Sequence, residues 1–167
     1  PARQKLVVDL LFWALVAIVV GSTVTGWLGT LQARGTDYAF WIGNQGLEFT
    51  SMGRVWQILL FVGLMFWLFL LGRALWPALR RPGETRGLIA MVFLSATCIG
   101  GFYATSLVWG QETHYSMIEY WRWWLVHLWV EGFFEVFATV VMSLIFTRLG
   151  LIRASTATAA VLFATIV

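Results

Sequence analysis

The 167-residue chain is 60% hydrophobic and only 11% charged, with a mean hydropathy of +0.80, which excludes a soluble globular domain and marks an integral membrane protein. Its net charge of +3 does not point to nucleic acid, because the basic residues sit at the ends of apolar runs rather than along one face. Cys98 is the single cysteine, so a disulfide framework and a thiolate metal site are excluded within the chain.

A hydrocarbon core about 30 Å thick takes about 20 apolar residues per helix. Four runs meet that length in order: Leu6 to Leu28, Val55 to Trp76, Leu88 to Trp109 and Ile118 to Phe146. They predict an all-α fold, a polytopic transmembrane helix bundle. A fifth run, Thr156 to Val167, has the same composition but only about a dozen residues, short of a crossing. A helix ending there leaves its last carbonyls unpaired in lipid, so residues 1–167 read as a single membrane segment of a longer polypeptide, with four complete helices and a truncated fifth. The first run is long and lacks a small-residue cleavage site, unlike a signal peptide. In the third run Ala96, Gly100 and Ala104 fall four apart, a ladder that lets a neighbouring backbone come close.

The loops orient these helices. Arg3 and Lys5 precede the first, Arg80, Arg81 and Arg86 separate the second and third, and Arg148 and Arg153 follow the fourth. The intervening loops, with Arg34 against Asp37 and Glu48 and then Glu112 and Glu119, carry no basic excess. The alternation predicts that the N-terminus and the basic loops are cytoplasmic. Trp76 and Trp109 at helix ends, and Trp121, Trp123 and Trp124 at the start of the fourth, fit an interfacial aromatic belt.

The fourth run contains a chemical conflict. In YWRWWLVHLWVEGFFEVFATV, residues 120–140, His127, Glu131 and Glu135 recur every four residues, and Thr139 and Ser143 continue the spacing. On an α-helix four residues advance one turn plus about 40°, so these side chains form one polar stripe. Counting from Ser116, His127 lies roughly 15 Å down, near the bilayer centre. An ionisable group there costs about 2.5–3.5 kcal/mol even on the lenient insertion scale, so the stripe is expected to face a protein interior.

Three readings of the stripe stand side by side: a buried cluster of neutral histidine and protonated glutamate, a proton or cation relay of a transporter, and a metal site. Imidazole and carboxylate at i and i+4 can converge on one ion, and that pairing suits non-haem iron better than copper. One histidine and one glutamate are an incomplete set. The other histidine, His114, lies in an outer loop.

The stretch at 120–140 resembles the corresponding helix of bacterial nitric oxide reductases, particularly the single-chain, quinol-dependent branch of the haem–copper oxidase superfamily. A second stretch, WIGNQGLEFTSMGRVWQ at Trp41 to Gln57, resembles the family's outer loop leading into a helix. The resemblance extends over essentially the whole chain. It implies a membrane oxidoreductase of denitrification that reduces two nitric oxide molecules to nitrous oxide and water, with quinol electrons passing through a low-spin and then a high-spin haem b. It further implies that His127 and Glu131 ligate non-haem iron, that Glu135 delivers protons or tunes Glu131, that Glu48 helps bind calcium, and that Arg54 steadies a haem propionate. Glu131 and Glu135 are the catalytic candidates. The implied setting is the bacterial cytoplasmic membrane, with the bilayer, the rest of the polypeptide, nitric oxide and quinol as partners, and a homodimer is compatible with it. The haem ligands and the histidine pair that completes the iron site are expected outside this segment, TATAAVLFATIV resembling the start of the helix that carries the pair. The segment alone is therefore expected to be inactive. The alternative is a segment of a proton- or cation-coupled transporter built on the His127, Glu131 and Glu135 stripe.

Overall fold

Long apolar runs leave a chain in lipid one open-ended solution, since every backbone N–H and carbonyl must be paired within its own segment. The computed structural model, which describes residues 2–46 and 52–165, is accordingly all-α. Helix α1 spans Ala2–Leu31, a short α2 Thr36–Trp41, α3 Arg54–Arg80 and α4 Arg86–Tyr103, which tightens into a 3₁₀ turn at Ala104–Leu107. Helix α5, Tyr115–Trp123, runs through a π-helical stretch at Trp124–Phe134 into α6, Glu135–Arg148, and α7 covers Ala154–Ala164.

Four of these are long and apolar enough to cross a membrane: Gln4–Leu31, Arg54–Arg80, Arg86–Leu107 and the 34-residue Tyr115–Arg148. They coincide with the four runs read from hydropathy, and α7 is the short fifth. The π stretch and α2 have no counterpart in that reading. Large apolar side chains stand exposed all along α1, including Leu10, Trp13, Val20 and Trp27. Such a surface is stable only against lipid or further apolar protein.

The chain forms two compact units. The first comprises residues 1–67 and 103–123. Here the Trp56 indole N–H is shared between Thr25 Oγ1 at 3.0 Å and the Ile42 carbonyl at 2.9 Å. The Tyr38 hydroxyl donates to the Thr25 carbonyl at 3.2 Å. Together these tie α1, α2 and the start of α3. Gly53 lies against the Ile42 backbone so closely that a Cβ would come within 2.6 Å of the Ile42 carbonyl carbon.

The second unit comprises residues 68–102 and 124–167. Its core is Leu88 and Val92 of α4, Val140 of α6, and Ala157 and Val161 of α7, with Leu75, Phe137 and Leu144 packed against them. On α6 the core residues Phe137, Val140 and Leu144 point roughly opposite to Glu135 and Thr139 at 100° per residue, so the same packing that buries one face presents the polar one. A Schellman turn joins α6 to α7: Gly150, at φ +73°, is the left-handed residue, with Leu151 N–H bonded to the Phe146 carbonyl and Gly150 N–H to that of Thr147. A Cβ at Gly87 would lie 3.9 Å from Thr158 Cγ2, so α4 and α7 begin at the same end of the unit. That end carries Arg86 and Arg153.

The Gly53 contact is with backbone, which cannot give way as a side chain can. Gly53→Ala is expected to destabilise the protein in detergent by about 1–3 kcal/mol, read as a lowered thermal midpoint. An unchanged midpoint would show that the approach to Ile42 is dispensable.

Candidate metal centre on the fourth membrane helix

His127 and Glu131 are in direct contact: Nδ1 and Oε2 lie 2.6 Å apart. They sit inside the π stretch, whose i→i+5 bonds widen the turn, so residues four apart fall slightly short of one revolution instead of about 40° past it. The imidazole and carboxylate are neighbours in either register, and the π turn reverses the sense of their offset around the axis. The same phase shows in Trp129 and Phe134, five residues apart, whose rings meet edge to face at 5.5 Å; on an α-helix they would be about 140° apart. At Gly132 the position of a Cβ is 3.3 Å from the His127 carbonyl oxygen, so the wide turn closes tightly at the pair.

The pair can serve as two donors to one ion. Ligand atoms about 2.0–2.2 Å from a metal and at right angles to each other are about 3.0 Å apart, a few tenths of an ångström beyond the observed hydrogen bond. A small side-chain rotation opens the pair to that distance. The opposite edge of the ring, Nε2, is the other donor a histidine offers while Nδ1–H is held by a carboxylate. Among the described residues no third His, Cys, Asp or Glu joins them. Their face is open among the described residues, with His127 45% and Glu131 63% exposed, where hydropathy leads one to expect a protein interior.

Glu131, Glu135 and Thr139 line one groove of about 710 Å³ with Gly132, Val136 and the end of α7 at Phe163 and Thr165. Three positions of the predicted stripe are thus brought to one surface. Ser143 is not among the groove's residues.

The remaining candidates lie elsewhere. Arg54 is buried at 6% exposure. Its guanidinium donates to the Ser106 carbonyl at 2.6 Å and to that of Trp109, and stands over the rings of Phe40 and Trp109. It thereby meets the negative end of the helix that finishes at Leu107. Among the described residues two carbonyls accept from this guanidinium, which has five N–H donors. Hydropathy reading missed the Ser106 and Trp109 partners, which lie more than fifty residues downstream. His114 caps α5: its Nδ1 accepts the Ser116 N–H at 3.3 Å and lies 2.8 Å from Ser116 Oγ. Glu48 falls outside the described residues.

Over residues 1–167 the sequence matches the family described as COX1, cytochrome C and quinol oxidase polypeptide I. The chain belongs to this family. No curated protein matches it significantly. Membership makes it part of a haem–copper oxidase-type oxidoreductase, a multi-pass membrane protein of a family that binds haem and metal centres.

Lysine cannot reproduce the planar fork by which Arg54 serves two carbonyls. Arg54→Lys is expected to cost about 1.5–3 kcal/mol, measured by thermal unfolding of the purified protein, and His114→Ala about 1 kcal/mol through the lost cap.

Proposed function

We propose that the chain is a membrane-domain segment of the catalytic subunit of a quinol-dependent nitric oxide reductase. The contact between the His127 imidazole and the Glu131 carboxylate carries this reading, because a carboxylate at the metal-facing position lowers the charge of the site and favours non-haem iron over copper. The reaction is 2 NO + 2 e⁻ + 2 H⁺ → N₂O + H₂O. Non-haem iron bound opposite a high-spin haem would supply electrons and Lewis acidity to bring two nitrogens together.

In this reading His127 and Glu131 hold the ion, and the polar groove receives protons. Glu135, one turn on in the same groove, hands protons toward Glu131 or holds its charge in check, since two carboxylates so close in a low dielectric do not both stay ionised without a compensating cation. Arg54 keeps guanidinium donors for a haem propionate, and Glu48 contributes to a calcium site. The basic turns at Arg80–Arg86 and Arg148–Arg153 face the cytoplasm, as does the N-terminus of the segment, in a bacterial inner membrane.

Two measurements test it. Purified full-length protein is expected to contain b-type haem and non-haem iron; copper in place of that iron would turn the reading toward an oxygen-reducing oxidase, and the absence of both metals toward a transporter. Glu131→Ala is expected to lose the non-haem iron or nearly all nitric oxide reduction, and full activity with normal iron content would overturn the assignment.

A further inference from the structure

The eleven-residue π stretch that carries His127 and Glu131 needs an explanation, because π-helix is rare and is seen mostly as single turns. Nothing in the local sequence demands it: Trp124–Phe134 has no proline and a single glycine. A tertiary contact is required to favour the wider register, and one residue of α4 makes it. The Phe102 ring lies between Trp124 and Phe133, stacked on the first at 5.8 Å and 30° and on the second at 5.2 Å and 20°.

Trp124 and Phe133 are nine residues apart. On an α-helix nine residues advance two and a half turns, which puts the two rings on opposite faces. With i→i+5 bonding, nine residues make close to two turns, so both rings emerge on one face with a gap between them. Phe102 fills that gap. The sandwich therefore exists only in the π register, and His127 and Glu131 lie between its two jaws.

We propose that Phe102 is a positioning residue: its ring, clamped between Trp124 and Phe133, holds residues 124–134 in the π register and so sets the angle at which the Glu131 carboxylate meets the His127 imidazole. In an α register Glu131 would stand about 40° past His127 around the helix instead of short of it, still a neighbour but with its carboxylate aimed to the other side of the imidazole. The hold of Phe102 on the π register follows from ring geometry alone. Its consequence for a bound ion rests on the reading of His127 and Glu131 as ligands.

The test uses full-length protein with Phe102→Leu, Phe102→Tyr, Phe133→Leu and, as a core substitution away from the sandwich, Leu144→Ala. A cryo-EM structure of Phe102→Leu is expected to show residues 124–134 with i→i+4 bonds, while Phe102→Tyr keeps i→i+5. After equilibration with a chelator, Phe102→Leu and Phe133→Leu are expected to retain non-haem metal at least tenfold more weakly than wild type. Phe102→Tyr should fall within about twofold, and Leu144→Ala should retain metal despite a lower thermal midpoint. A π register and normal metal retention in Phe102→Leu would overturn the proposal, and so would equal metal loss in Leu144→Ala. Should Phe102→Leu fail to accumulate, Phe133→Leu reads the same sandwich from its other side. A register shift in a protein whose wild type holds no metal would leave the clamp standing and overturn the ligand reading instead.

Discussion

An unpaired backbone N–H or carbonyl in hydrocarbon costs several kcal/mol, and most of this structure answers that constraint. Continuous helices satisfy it along the spans. Where the helices end, particular side chains and turns take over: Arg54 on the Ser106 and Trp109 carbonyls, His114 on the Ser116 N–H, and the Gly150 turn on the carbonyls of Phe146 and Thr147. Even the π stretch obeys it, since a change from i→i+4 to i→i+5 bonding leaves the ladder within the segment while altering which side chains share a face.

That freedom to change register without losing hydrogen bonds decides which side chains share a face on the fourth membrane helix. Its α6 half packs Phe137, Val140 and Leu144 into a conventional apolar core and leaves Glu135 and Thr139 along a groove. Its π half brings His127 onto Glu131 at 2.6 Å and sets Trp124 and Phe133 around Phe102. The aromatic side chains that hydropathy assigns to a lipid interface thus divide into two groups. Trp123 is exposed, whereas Trp124 is engaged in a stack that controls helix phase.

The polar groups also divide by what surrounds them. Arg54 is buried, with carbonyl oxygens and aromatic faces around its guanidinium, an arrangement that tolerates a cation away from water. His127, Glu131 and Glu135 are exposed on this chain, an arrangement tolerable at membrane depth only beside further protein, water or a metal ion. The chain belongs to the COX1 family, whose members bind haem and metal centres.

Helix number, approximate span and the side-chain types of the site were legible in the sequence, because each follows from local composition and from separations of three or four residues. The pairing of His127 with Glu131 belongs to that class: i and i+4 are neighbours in either helical register. The choice of register was not legible, because the α and π ladders of one segment differ by a single residue and local propensity favours α. The spacings of nine for Trp124 and Phe133 and of five for Trp129 and Phe134 are a trace of it in the chain. Only the tertiary structure decided it, by bringing Phe102 from another helix between two rings that an α-helix would hold on opposite sides. The partners of Arg54 were decided in the same way, since a carbonyl carries no signature in sequence until the fold places it beside a donor.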